Sequence, residues 1–339
     1  MLILSWGITA LVAFFLGAFF ARNRLVLDQP NQRSMHSVPI PRLGGVALWG
    51  AIVCGLVMHP MESHQRILLE ALTMVVAVSL LDDIRTLPPW PRLATHLVAA
   101  LLALWGAWLV PGTWTLPGWT WAWPYALALP LCLLFVVWTS NCFNFMDGMD
   151  GLAATQAITG FGGLAIMAGL SAAPWLTLAA SLTAAAAIGF LPWNWPTARL
   201  FLGDAGAVGL GFWQGVLTLY GAAHGAFPLW AGLLAFAPFL LDGTITLLVR
   251  TIHGHSPLVP HREHLYQRLA MGPWGVRRTL LVHGLFMTGC AAAACLSYQR
   301  QAAWGLGACL AACGLHLGLR LWTNTIAPLR SAGLLRDEP

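Results

Sequence analysis

The chain has 339 residues, of which 58% are hydrophobic and only 9% are charged, and its formal net charge is +5. Soluble domains carry about 25% charged residues, so this composition excludes an ordinary soluble globule and indicates a membrane protein. All 17 basic residues are arginine, which excludes a P-loop lysine, a Schiff-base lysine and a lysine general base.

Hydrophobic segments predict an all-α, polytopic fold with about eleven transmembrane helices, because a helix needs roughly 20 apolar residues to cross a bilayer. In chain order they are 2–21, 43–58, 67–81, 93–110, 124–140, 153–171, 173–191, 208–224, 226–249, 279–297 and 302–321. The divisions near residues 172 and 225 rest on short breaks, so ten helices is the alternative.

The arginines predict the orientation. If the N-terminus faces outward, 15 of the 17 fall in cytoplasmic loops or the C-terminal tail, and only Arg66 and Arg300 fall outside. The positive-inside rule therefore predicts an N-out/C-in topology. This topology explains the net positive charge, so we expect no nucleic-acid partner.

No internal repeat divides the chain, so residues 1–339 are predicted to form one membrane-embedded domain. Its predicted cytoplasmic loops are 22–42, 82–92, 140–152, 192–207 and 250–278. The first of these carries Arg33 and His36. Its basic residues would attract anionic lipid headgroups, and a role in substrate binding is equally compatible with them.

Asp82 and Asp83 end the third predicted helix. Adjacent carboxylates repel each other, so at least one should be paired, metal-bound or shifted in pKa. The alternative is a solvated helix end next to Arg85. However, acidic residues at a helix C-terminus oppose the helix dipole, so this alternative has little to support it.

Asn141, Asn144, Asp147 and Asp150 recur at every third position in the loop 140–152. Residues three apart are neighbours on a helix, so successive pairs can converge on one ligand. The glycines between them would let a diphosphate or a base approach the backbone. The alternative is an Asx- and Gly-rich connecting loop, but such a loop needs no regular register.

The loop 192–207 contains Asn194 and the run Phe201-Leu-Gly-Asp204-Ala-Gly206. Mg²⁺ is typically held by one or two carboxylates together with substrate phosphates, so Asp204 is a candidate ligand. The alternative is a helix N-cap, since aspartate is favoured there and a helix is predicted to follow.

The last loop contains His261-Arg262-Glu263-His264. A zinc site would usually include cysteines, and none accompanies this cluster, so a phosphate-binding patch is favoured. Asp242 is predicted to lie within the ninth helix. An ionisable side chain at membrane depth is a functional candidate, although the sequence assigns it no role.

Together these motifs resemble the polyprenyl-phosphate N-acetylhexosamine-1-phosphate transferases, an integral-membrane family of glycosyltransferase family 4 that includes the WecA and MraY types. The matching segments follow the family order from about residue 28 to 269. They are Asp28 to Gly45, Asp82-Asp83, Asn144-Phe-Met-Asp147-Gly-Met-Asp150-Gly-Leu152, Asn194 with Phe201-Leu-Gly-Asp204-Ala-Gly206, and the His264 loop. Each motif alone is weak, but five in order are specific.

The resemblance implies transfer of a HexNAc 1-phosphate from a UDP-sugar to undecaprenyl phosphate, with release of UMP. It also implies Mg²⁺, or alternatively Mn²⁺, bound by Asp204. The implied catalytic residues are Asp82, Asp83 and Asp147, and the implied substrate-binding residues are Asn144, Asp150, Asn194, Phe201, Arg262, His264, Arg33 and His36. Direct attack and a covalent intermediate both remain open.

The implied partners are the two substrates and the bilayer of a bacterial inner membrane, with the site on the cytoplasmic face; a homodimer is also compatible. The chain departs from the family pattern at two places. Tyr266-Gln267 stands where histidines are usual, which resembles the subgroup that begins O-antigen or related glycans, and Ala207 stands where serine is frequent. The alternative within the family is a phospho-N-acetylmuramoyl-pentapeptide-type transferase. A transporter should carry more polar groups at the midplane than Asp242 alone, and a scaffold would not need the acidic set.

Overall fold

The computed structural model describes residues 2–29, 38–256, 259, 261–272, 274–300 and 302–331. Arg33 and His36 therefore lie outside the described residues. Within them the chain forms thirteen helices and two small antiparallel strand pairs. The predicted all-α class is confirmed.

The helices are α1 (Leu2–Asn23), α2 (Gly44–Leu56), α3 (Ser63–Ile84), α4 (Pro89–Gly106), α5 (Tyr125–Met146), α6 (Leu152–Leu170), α7 (Pro174–Asn194), α8 (Gly203–Ala223), α9 (Leu229–Ala235), α10 (Ala237–Ile252), α11 (Leu265–Met271), α12 (Gly275–Arg300) and α13 (Ala302–Ser331). Six of them, α1, α5, α6, α7, α12 and α13, are long and apolar enough to cross a membrane. This identifies a multi-pass membrane protein. The eleven-helix count and the orientation stay predictions.

The strand pairs were not predicted. Strands β1 (Leu27–Asp28) and β2 (Ile40–Pro41) close the first loop, and β3 (Trp114–Leu116) pairs with β4 (Trp119–Trp121) in the tryptophan-rich segment. The turn between β3 and β4 is Pro117-Gly118, and Gly118 has a φ of 83°. Proline followed by glycine at positive φ is the sequence preference of a type II turn.

The predicted span 226–249 is interrupted in the structure. It forms α9 and α10, which meet at an angle of 84° at Phe236. Pro238 accounts for the break, because proline has no N–H to donate and its ring clashes with the carbonyl four residues earlier. The side-chain amide of Gln156 donates to the Ala235 carbonyl at 3.2 Å and so satisfies a group near the break.

Helix α8 lies in the interior of the bundle, and every residue from Ala205 to Gly221 is buried. Glycines permit its close packing: a Cβ on Gly45 of α2 would overlap the backbone of Gly206, and a Cβ on Gly211 would overlap the Thr139 carbonyl of α5. Small residues at such contacts let helix backbones approach closely. The first turn of α8 is therefore held beside the ends of α3 and α5.

Candidate functional site

Five aspartates gather where α3 and α5 end and α8 begins. They are Asp82, Asp83, Asp147, Asp150 and Asp204, which we call the acidic cluster. The charges of Asp83, Asp150 and Asp204 all act on Asp147, and those of Asp82 and Asp83 act on Asp204. Three motifs that are separate in the sequence thus form one site.

Asp83 is bound to the start of α8. Its Oδ1 accepts a hydrogen bond from the Asp204 amide at 3.0 Å, and its Oδ2 accepts one from the Ala205 amide at 2.9 Å. The first amides of a helix lack partners within that helix, so Asp83 caps α8 from a different helix. Asp204 makes no side-chain cap itself, which rules out its predicted alternative role as the N-cap.

Gly203 and Arg42 complete this junction. Gly203 has a φ of 74°, and a Cβ there would overlap the Arg42 carbonyl and approach the Asp83 carboxylate to 2.8 Å. The Arg42 guanidinium donates to the Asp83 carbonyl at 2.5 Å and lies 3.6 Å from Asp28. The first loop is thereby tied to the acidic cluster through its described residues.

Arg92, which sequence reasoning missed, links two members of the cluster. It lies in the first turn of α4, with its Nη1 2.5 Å from Asp82 Oδ2 and its Nη2 3.1 Å from Asp204 Oδ2. A planar guanidinium has paired donors that can bridge two carboxylates, whereas lysine offers one point charge. The sequence feature that could have indicated Arg92 is its position nine residues after Asp83, in the first turn of a helix that begins with proline.

Asn194 and Asp150 join the loops after α5 and α7. Asn194, only 3% exposed, accepts from the Gly151 amide at 2.9 Å and donates to the Leu200 carbonyl at 3.0 Å. An Asp150 oxygen accepts from the Ala198 amide at 2.9 Å. Both predicted substrate-binding residues are thus brought to the site, where these contacts fix the loop geometry.

The five carboxylates of the cluster outnumber the two arginines that contact them, Arg92 and Arg42. Burial, followed by the charges of Asp204, Asp83 and Asp150, raises the pKa of Asp147 well above its usual value. Burial and the Asp83 carboxylate raise the pKa of Asp204 to about 7, although Arg92 opposes this shift. A divalent cation would relieve the repulsion that causes these shifts.

The residues present fit a cation whose remaining ligands come from the substrate. Among the described residues, no three histidine, cysteine, aspartate or glutamate side chains could hold a metal ion by themselves. Mg²⁺ normally keeps several waters and binds through one or two carboxylates plus phosphates, so it does not need such a trio. The pKa values of Asp204 and Asp147 are strongly raised, so a cation would stabilise the charged forms of these two carboxylates.

The segment 261–264 lies against the cluster's α5 side. The ring of His264, 3% exposed, stacks on Phe145 with centroids 6.1 Å apart and on His261 at 4.9 Å. Arg250 pairs with Glu263. Burial and the neighbouring charges of His264 and Arg250 lower the pKa of His261 to about 4, so its imidazole is neutral at pH 7.

Tyr266 and Gln267 both make polar contacts within the protein. Tyr266 is fully buried, and its hydroxyl donates to the Phe145 carbonyl at 3.0 Å. Gln267 accepts from the His264 amide at 3.3 Å and so caps its own helix. The Tyr266 hydroxyl thus stabilises the end of α5, and the Gln267 side chain stabilises the start of α11.

Phe201 and Asn144 reach the same end of the bundle. The Phe201 backbone pairs with the first loop, donating to the Pro41 carbonyl at 2.7 Å and accepting from the Gly44 amide at 2.9 Å. Phe201, Asn144 and Arg262 are each partly exposed, as substrate contact requires. Fold and site together define a multi-pass helical membrane protein with a partly exposed polar site at one end of the bundle.

Comparison with known proteins identifies the family. The family described as glycosyl transferase family 4 matches residues 66–222, a stretch that contains the whole acidic cluster. An undecaprenyl-phosphate alpha-N-acetylglucosaminyl 1-phosphate transferase of Thermotoga maritima is 29% identical over 288 residues, which cover 80% of this chain and 83% of that protein. A probable undecaprenyl-phosphate N-acetylglucosaminyl 1-phosphate transferase of Bacillus subtilis is 28% identical over 271 residues, 76% of this chain and 73% of that protein.

A phospho-N-acetylmuramoyl-pentapeptide-transferase of Chlamydia trachomatis is 37% identical, but only over 100 residues, 29% of this chain and 30% of that protein. The similarity of this chain to glycosyl transferase family 4 and to these transferases supports the family predicted from its motifs. These similarities support a sugar-phosphate transferase.

Proposed function

We propose that this protein transfers an N-acetylhexosamine 1-phosphate from a UDP-sugar to undecaprenyl phosphate at the cytoplasmic face of a bacterial inner membrane. An oxygen of the lipid phosphate forms a bond to the donor's β-phosphorus, the bond between that phosphorus and the bridging oxygen breaks, and UMP leaves. The observation that carries the proposal is the acidic cluster, which lies partly buried at one end of the bundle and is bridged by Arg92.

The electrostatics of the cluster suit this reaction. Two anionic phosphates must meet, and their repulsion is large in a partly desolvated site. Mg²⁺, or Mn²⁺, bound by Asp204 and Asp147 would supply positive charge where the transferred phosphoryl group develops negative charge. Asn144 would orient the donor diphosphate, and Arg262 and His264 would bind its oxygens. Phe201 would stack on the uracil, with Asp150 hydrogen-bonded to it.

Asp82 is assigned to the lipid phosphate, with Arg92 as its partner. One Asp82 oxygen accepts from the Leu87 amide at 2.7 Å, and the other contacts Arg92. For Asp82 to accept a proton, Arg92 must move away from it, and the released guanidinium would then be available to a phosphate. Asp83 is assigned to positioning, because both of its oxygens hold the first turn of α8.

We propose initiation of O-antigen or a related surface glycan as the pathway, with GlcNAc or a deoxy-HexNAc as the sugar. The relatives that cover most of the chain are named as N-acetylglucosaminyl 1-phosphate transferases, and this supports the proposal. The alternative, a phospho-N-acetylmuramoyl-pentapeptide donor, has local support in the 100-residue similarity to the Chlamydia trachomatis protein.

The test uses purified protein with undecaprenyl phosphate, Mg²⁺ and a panel of labelled UDP-HexNAc and UDP-muramoyl-pentapeptide donors. We expect UMP and a diphosphate-linked lipid product, loss of both with EDTA, and recovery with Mg²⁺. Asp204→Asn serves as the inactive control, since the amide keeps the shape but removes the negative charge. Absence of UMP release with every donor would refute the proposal, and product from the pentapeptide donor alone would establish the alternative.

A further inference from the structure

Asp242 holds the start of α11 although it belongs to α10. Its carboxylate is 1% exposed. Asp242 Oδ1 accepts from the Leu265 amide at 2.9 Å, Oδ2 accepts from the Tyr266 amide at 3.3 Å, and His264 Nδ1 lies 3.6 Å from Oδ1. The deep carboxylate therefore fixes the segment that carries His264.

The same carboxylate is connected to the last helix. Arg320 of α13 is 6% exposed, and its Nη1 donates to Thr246 Oγ1 at 2.7 Å. Thr246, fully buried one turn after Asp242, donates in turn to Asp242 Oδ1 at 2.9 Å. A buried arginine in an apolar helix is costly and calls for a functional explanation.

Other basic groups surround this carboxylate. His283 of α12 and His316 of α13 both lie where the charge of Asp242 acts on them. Helices α10, α12 and α13 thus contribute polar side chains around Asp242, and α11 contributes two backbone amides. The hydrogen bonds from Thr246, Leu265 and Tyr266 restrain the position of that carboxylate.

The connection continues to the acidic cluster. The Tyr266 hydroxyl donates to the Phe145 carbonyl at 3.0 Å, two residues before Asp147. A Cβ on Gly148 would overlap that hydroxyl. A continuous series of contacts therefore runs from Arg320 through Thr246, Asp242 and Tyr266 to the turn that carries Asp147.

We propose that Arg320 and Thr246 are positioning residues for the transferase site. They set Asp242, and Asp242 fixes both the phosphate-binding segment 261–264 and, through Tyr266, the turn at Asp147. This inference rests on the proposed function for the role of that segment, but the mechanical link can be measured without catalysis. A matched pair of substitutions is available, because Thr246→Val removes the hydroxyl at nearly constant shape and Thr246→Ser retains it.

The experiment compares the full-length protein with Thr246→Val, Thr246→Ser, Arg320→Met, Arg320→Lys and the double variant Thr246→Val with Arg320→Met. Arg277→Met, at an exposed position on α12, is the control. Hydrogen–deuterium exchange is followed in peptides covering 261–271 and 144–150, with α6 as an internal reference. In the same samples kcat and KM for the UDP-sugar are measured by UMP release.

We expect exchange of the Leu265 and Tyr266 amides to accelerate about tenfold or more in Thr246→Val and Arg320→Met, the scale of losing one hydrogen bond to a charged group. Exchange in α6 should stay unchanged. In Thr246→Val and Arg320→Met, kcat/KM should fall about tenfold. Thr246→Ser and Arg320→Lys should retain most of the wild-type kcat/KM. The kcat/KM of the double variant should be no lower than that of the poorer single variant, because both residues act through the same contacts.

Three outcomes overturn the inference: local exchange equal to that of the Arg277→Met control, acceleration that extends equally into α6, or effects of the two substitutions that add. Equal activity of Arg320→Met and Arg320→Lys would also contradict it, because packing rather than donation would then matter. If the wild type releases no UMP while the exchange changes as expected, the proposed function fails and the positioning link stands.

Discussion

Arg92 offers the sharpest test of the site, because it was absent from the sequence-based assignment and is central in the structure. Its guanidinium bridges Asp82 at 2.5 Å and Asp204 at 3.1 Å, with a quarter of the side chain exposed. Arg92→Met keeps much of the stem and removes the charge. The two carboxylates then lose their shared partner and repel each other.

The size of the effect follows from these contacts. Breaking a fully buried pair costs about 3–5 kcal/mol, and partial exposure here reduces that to the range of one charged hydrogen bond, about 1.5–3 kcal/mol. If that energy is lost in the transition state, kcat/KM falls about 10- to 100-fold, since 1.36 kcal/mol corresponds to a factor of ten. Because Arg92 lowers the pKa of Asp204, its removal should also move the acidic limb of the pH–rate profile to higher pH.

The assay is UMP release at saturating Mg²⁺ with the purified protein, compared with Arg85→Met, an exposed arginine of the same loop. Arg92→Lys should be intermediate, because a single ammonium cannot bridge two carboxylates in the geometry of a guanidinium fork. Activity of Arg92→Met within twofold of Arg85→Met, with an unchanged pH profile, would refute the argument that the bridge supports catalysis.

Three further predictions concern the same site. Asp83→Asn should lower the melting temperature, since it weakens a helix cap that contributes about 1 kcal/mol, whereas Asp204→Asn should lose activity without that loss of stability; the opposite pattern would exchange their assigned roles. The pKa of Asp204 is raised to about 7, so protons compete with the cation for its carboxylate. Calorimetry should therefore show that Mg²⁺ binding releases protons and weakens from pH 8 to pH 6. An affinity that is independent of pH would exclude Asp204 as a ligand. Gly148→Ala should lower activity at least tenfold, because its Cβ displaces the Tyr266 hydroxyl and shifts the turn that carries Asp147. Adding Tyr266→Phe should restore part of that loss. If the effects of the two substitutions on activity simply add in the double variant, residues 148 and 266 do not interact.

Sequence reasoning named all five aspartates of the acidic cluster, because membrane chains rarely carry carboxylates without a functional reason. In a chain with 9% charged residues, aspartates next to hydrophobic spans stand out, and their order matched one family. The sequence alone could not assign different roles to Asp82 and Asp83. Their difference depends on which of them faces the first turn of α8, 121 residues away in the chain, and no local pattern encodes that contact.

The interruption at Phe236 illustrates a second kind of limit. Hydropathy treated 226–249 as one span, because averaging over a window conceals a single break. Pro238 was visible in the sequence, but proline only weakens a helix at that point and a kink or a break can follow. The packing of α9 against α6 and α12, and of α10 against α5, α12 and α13, stabilises an 84° bend, and with this bend Asp242 of α10 contacts α11.

By itself, the sequence determined the membrane class and predicted the family, the reaction type and the acidic residues of the site, since these predictions rest on composition and short motifs. Only the tertiary structure assigned Arg92 to the cluster, made Asp83 a cap, placed Tyr266 in the interior and connected Asp242 through Thr246 to Arg320 of α13. The physical reason is that hydrogen bonds and ion pairs have a reach of about 3 Å, so they depend on distances that helix packing sets. Residues far apart in the chain acquire their roles only when the bundle brings them within that reach.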